Sequence, residues 1–229
     1  MAAQPGPPDQ PERSGQPAPP QAVIEWFVDE LRLDAASPVA VSATSATVDA
    51  LRSRCPRVIE PRDPAAARPV WPVTDGGASA VVLAGISDHT TARDALDEVL
   101  RVLVPGGRIG VAEVVLDGRD GRVRNLERML DPRVEEGRRE RVRAWPAALE
   151  GDRRFARLRW QVFQHVELLG PEAVAGRFLA LPEVAALPDE DREGLDAQLA
   201  RAAAEEAGDD GLVELAYRID AAWTSRAEG

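Results

Sequence analysis

Apolar positions along the chain alternate between helical stripes and short continuous runs. Val23, Ile24, Phe27, Val28, Leu31 and Leu33 recur at roughly helical spacing with acids on the other face, which predicts a first helix. Ser37-Pro38 stops it, because proline pushes the residue before it out of the helical region. Val39–Val41 reads as a short buried strand, Thr44 or Ser45 as the cap of a helix to about Arg54, and Arg57–Glu60 as another short strand. Pro61, Pro64, Pro69, Pro72 and then Asp75-Gly76-Gly77 make 61–77 a loop.

The clearest pattern follows. Ala80–Ala84 is apolar throughout, as in a parallel strand covered on both faces. Thr91–Leu103 has Ala95, Leu96, Val99, Leu100 and Leu103 on one helical face, which predicts a buried stripe. Pro105-Gly106-Gly107 ends that helix, and Arg108–Leu116 reads as a longer buried strand, completing a βαβ unit. Beyond Val123 an arginine-rich stretch reads as helix with a solvated face: residues 119–143 carry nine arginines against six acids. A minority reading gives those arginines an anionic small molecule. Leu158–Leu169 reads as a strand, Gly170-Pro171-Glu172 as a helix start, 189–207 as one further helix and Leu212–Ala222 as a last strand.

Composition changes this picture at the N-terminus. The first twenty of the 229 residues hold seven prolines and no apolar stretch, so 1–21 reads as a disordered Pro-rich tail and 22–229 as the globular domain. Nothing there resembles a secretory leader, and no run is long enough to span a bilayer, which suggests a cytoplasmic setting. With 39 acids against 28 bases the net charge is -11, which argues against nucleic acid or an anionic membrane surface as partner. One cysteine, Cys55, excludes an intrachain disulfide, and two histidines leave little for a metal centre. Every base is arginine, so neither a Schiff-base lysine nor a Walker-type phosphate loop is available.

Residues 71–115, WPVTDGGASAVVLAGISDHTTARDALDEVLRVLVPGGRIGVAEVV, carry two linked motifs. Pro72, Asp75 and Gly76 precede a strand; Leu96, Glu98, Arg101, Val102, Leu103, Pro105, Gly106 and Gly107 form a helix ending that leads into the next. Together they resemble the class I S-adenosylmethionine-dependent methyltransferases, in particular the small-molecule group called methyltransferase type 11. The resemblance implies an α/β fold: a doubly wound, mostly parallel, Rossmann-like sheet with an antiparallel edge strand. It aligns 39–41 with the family's strand two, 57–60 with strand three, and 80–84 and 108–116 with strands four and five. It implies S-adenosylmethionine as cofactor and a small molecule as methyl acceptor.

The family's cofactor loop, an acid followed by alternating glycines after strand one, has no counterpart: there is no glycine between Gly15 and Gly76. The ribose-binding acid at the end of strand two falls on Ser42, which lacks the two acceptor oxygens of a carboxylate. The acid expected at the start of strand four falls on Ser79. Ser42, Asp63 and Ser87 are the remaining, vestigial cofactor positions, and His89 is the candidate catalytic base. A lone loop histidine with no orienting partner reads first as a solvent-exposed residue. Trp71 and Trp160 are candidate stacking rings or core, and His165 and Cys55 read as structural.

In this alignment strand one, the family's central strand between two and four, is missing, and the simplest repair pairs 39–42 directly with 80–84. A second alignment makes Val39–Val41 strand one, Ser42–Ala46 a rebuilt loop and Glu60 the ribose acid, leaving no strand three. Three functions stay open: a degenerate methyltransferase that binds a small molecule or a protein, an active small-molecule methyltransferase with a non-standard loop, and an enzyme on this fold that does not use the cofactor. A missing central strand would also leave surfaces for an oligomer.

Overall fold

The computed structural model describes residues 20–63, 69–84, 92–130 and 132–227. The strands are β1 (Val39–Ala43), β2 (Val58–Ile59), β3 (Ala78–Ala84), β4 (Leu103–Leu116), β5 (Arg159–Leu169) and β6 (Val213–Ser225). They form one sheet in the order β2-β1-β3-β4-β6-β5. β1 to β4 are parallel neighbours, while β6 runs antiparallel between β4 and β5. The helices are α1 (Gln21–Glu30), α2 (Ser45–Arg52), α3 (Ala92–Val102), α4 (Gly121–Glu127), α5 (Pro132–Glu150), α6 (Pro171–Leu179), α7 (Pro182–Ala185), α8 (Asp189–Arg192) and α9 (Leu195–Glu205).

Alternation along the strands divides the core into two layers. Val39, Val41, Ala80, Val82, Ala112 and Val114 pack with α1, α2, α4, α6, α7 and α9. Ala40, Val81, Leu83, Ile109 and Val111 pack with α3 and with Trp145 and Leu149 of α5. The stripe Leu96, Val99, Leu100 and Leu103 is buried, as its spacing predicts. α1 lies over the antiparallel half of the sheet. A Cβ on Gly110 of β4 would come within 2.6 Å of the Phe27 ring, so glycine there lets α1 seat directly on the strand. Trp26 meets Phe163 of β5 edge-on at 5.9 Å, and Arg108 donates to the Glu30 carbonyl.

Three expectations change. β4 starts at Leu103, not Arg108: Gly106 adopts φ +73°, and a Cβ on Gly107 would lie 2.9 Å from the Val104 carbonyl oxygen, so these glycines let α3 run straight into extended chain. The helix expected over 189–207 is two helices, because Gly194 sits at φ +76° between α8 and α9. The arginine-rich helix α5 is not simply solvated, since Arg138 and Arg141 are largely buried among acids. Among the described residues no helix is long and apolar enough to cross a membrane. The proposed tail, apart from Pro20 and Gln21, lies outside the described residues.

Candidate functional site

Open α/β sheets bind ligands at the carboxyl ends of their parallel strands, which here means the ends of β1 and β3. These strands pair directly from Val39↔Ala80 to Ala43↔Ala84, so no strand lies between them. β1 ends at Ala43, and α2 begins at Ser45 after the single residue Thr44. Thr44 Oγ1 accepts the Thr47 N–H at 3.4 Å and lies 2.9 Å from Thr47 Oγ1. The start of α2 therefore spends one of its free donors on its own cap.

Ser42 is half-buried on β1, opposite Leu83. Asp63 is exposed, past the end of β2 on the sheet's outer flank. Ser87 and His89 lie outside the described residues. Glu60, the ribose acid of the second alignment, accepts from Arg52 Nη2 of α2 at 2.5 Å. Cys55 is fully buried; burial first, and the Asp34 charge second, push its thiol up, which keeps it protonated. Trp71 is 1% exposed and belongs to the core.

A solved structure described as a candidate type II methyltransferase from Anaeromyxobacter dehalogenans matches 93% of this chain and 97% of its own, at 16% identity and a TM-score of 0.58. The fold is that of the class I methyltransferases. The YcgJ protein of Bacillus subtilis matches 92% of this chain and 100% of its own, at 14% identity and a TM-score of 0.49. Geranyl diphosphate C-methyltransferase from Streptomyces coelicolor, solved with S-adenosyl-L-homocysteine, matches 90% of this chain and 77% of its own, at 15% identity and a TM-score of 0.39. No family model and no curated protein matches the chain.

Within this methyltransferase fold, the two sequence motifs that carry the resemblance prove to be one clamp. Arg101 donates to both Glu98 carboxylate oxygens at 2.7 Å, to the Val73 carbonyl at 2.8 Å, to Asp75 at 2.9 Å and to the Trp71 carbonyl at 3.1 Å. Glu98 also accepts the Trp71 N–H at 3.0 Å, and Gly76 N–H reaches the Arg101 carbonyl at 2.8 Å. The Glu98 hydrogen bonds, then those of Asp75, raise the Arg101 guanidinium above its ordinary value. The clamp ties the loop before β3 to the end of α3, at the sheet edge opposite the ends of β1 and β3. The motifs bond to one another and to neighbouring backbone, which is a scaffold arrangement. A cleft of about 450 Å³ lined by Arg62, Val70, Pro72 and Thr74 lies beside the clamp.

The strand order fits both sequence alignments, because loss of either strand one or strand three leaves two strands beyond β3. The position of α1 bears on the choice. A connection from a lost central strand to β1 would cross those strands, whereas α1 covers β4 and β5, which favours β1 as strand one. Neither alignment supplies the family's cofactor loop among the described residues. In one alignment the strand that leads into that loop is gone; in the other the loop is the single residue Thr44. Ser42 offers no carboxylate, and Glu60 is already paired with Arg52.

One polar cluster escaped the sequence reading. Glu113, on the part of β4 that extends past Ala84↔Ala112, accepts from Arg141 Nη1 at 3.1 Å, and Arg141 Nε donates to Glu183 of α7 at 2.7 Å. Arg141 Nη2 and Glu183 Oε2 are buried with no hydrogen bond among the described residues. Burial pushes the Glu113 carboxyl up to about 7, with Glu183 and Asp220 adding to it and Arg141 opposing. The signal available in the sequence was an acid inside RIGVAEVVL, a strand otherwise covered on both faces.

Proposed function

We propose that this chain keeps the methyltransferase scaffold without holding S-adenosylmethionine, and acts by binding a ligand or a protein instead of transferring methyl groups. The single-residue passage from β1 to α2 at Thr44 carries this reading, because with β1 as strand one, the alignment that the position of α1 favours, the cofactor needs bare backbone there. The absent carboxylate adds to it: a charge-assisted hydrogen bond contributes about 1.5–3 kcal/mol, roughly ten- to a hundredfold in affinity. The clamp at the opposite edge supports retention of the scaffold for its own stability. The acidic balance of the chain favours a protein or small molecule over nucleic acid or a membrane surface.

Isothermal titration of the full chain with S-adenosylmethionine, and separately with S-adenosylhomocysteine, tests this. The expected result is no binding tighter than the millimolar range. A micromolar dissociation constant would overturn it and restore the active small-molecule methyltransferase with a rebuilt loop.

A further inference from the structure

The outer edge of the sheet carries a second feature, independent of the cofactor question. β5 is eleven residues long, pairs with β6 from Arg159 to Leu169 without a bulge, and among the described residues no strand covers its other side. Trp160, Val162, Val166 and Leu168 share one face and are 48%, 49%, 53% and 60% exposed. Edge strands are ordinarily protected by lysine, proline, a bulge or shortness. β5 has no proline and no bulge and is not short, and its two charges, Arg159 and Glu167, stand near its ends.

We propose that β5 pairs antiparallel with β5 of a second copy of this chain, about a two-fold axis at Gln164. The sequence RWQVFQHVELL is self-complementary in this register. Trp160 then faces Leu168 of the other copy, Val162 faces Val166, and Gln164 faces Gln164. On the other face Phe163 meets His165 and Gln161 meets Glu167. Each strand has one cation, Arg159, and one anion, Glu167. The register sets Arg159 diagonal to Glu167 of the other copy, a carboxylate that Arg177 of its own chain already holds at 3.1 Å, and opposes no like charges. Pairing supplies about ten inter-strand hydrogen bonds, the number usual for a specific interface. The area is on the order of 1,000 Å² in total, near the lower bound for a specific interface, so association in the micromolar range is expected.

Sedimentation equilibrium of the full chain should show a monomer–dimer equilibrium. Val162→Glu and Val166→Lys, both at exposed positions, should each weaken it by roughly a hundredfold. Mixing the two variants should recover association, because the register puts position 162 opposite 166. Gln164→Cys should give a covalent dimer under mild oxidation, since directly opposed residues lie within disulfide reach and Cys55 is buried. A wild-type chain that stays monomeric at hundreds of micromolar overturns the proposal. So does association that both charge variants leave unchanged, association that is lost only when residues 1–19 are removed, or a Gln164→Cys chain that does not cross-link.

Discussion

Replacing Glu113 by glutamine tests the electrostatics of the buried cluster where its cost is largest. Glu113, Arg141 and Glu183 have side chains 7%, 11% and 9% exposed, so two carboxylates share one guanidinium away from water. With both acids ionised the cluster carries a net negative charge, and burial favours the protonated form of Glu113, with its carboxyl at about 7 against an ordinary 4.5. The folded chain therefore holds a proton that the unfolded chain has already released. Stability falls as pH rises from about 4.5 to about 7 and then levels off, at a total cost of about 3 kcal/mol. Glu113→Gln keeps the shape and an acceptor for Arg141 while removing the titration. Urea unfolding of both proteins between about pH 5 and pH 8 should show the variant gaining about 2–3 kcal/mol on the parent as pH rises, with unchanged m-values. A difference that stays constant across that range, or shrinks with rising pH, would refute the reasoning.

The clamp and the α1 contact yield further expectations. Glu98→Ala should cost about 1–3 kcal/mol, because it leaves the buried Trp71 N–H unpaired and takes two charge-assisted bonds from the part-exposed Arg101 guanidinium, whereas Asp75→Ala, at an 84% exposed side chain, should cost less than about 1 kcal/mol; thermal unfolding separates the two. Gly110→Ala should destabilise by about 1–3 kcal/mol through collision with the Phe27 ring, and adding Phe27→Leu should cost less than the sum of the two single changes.

The central βαβ unit was legible because β3 and β4 are apolar on both faces and the α3 stripe has a clean helical period. The direct β1–β3 ladder was expected as the repair of a lost strand one; the ladder is there, but the position of α1 favours β1 as strand one itself, which needs no repair. The break at Gly194 was not legible, since a glycine within a helical pattern is tolerated as often as it interrupts. Nor was the burial of Arg141, because a run of arginines and acids has the same composition on a solvated face as around an interior ion pair. The motifs at Glu98, Arg101 and Asp75 identified the fold, yet their bonding is structural. Recognition of the family and capacity for its chemistry thus reside on opposite edges of the sheet.

β1 lies directly against β3 and turns into α2 within one residue, which leaves no cofactor loop between them. The most direct measurement is a backbone nuclear Overhauser map of the isotopically labelled chain in solution. Neighbouring strands lie about 4.8 Å apart, so only adjacent ones give strong backbone contacts. The expected result is a continuous parallel ladder from Val39–Ala80 to Ala43–Ala84, with helical amide contacts starting at Ser45. Contacts from either strand to a third segment between them, or extended backbone through Thr47, would contradict it.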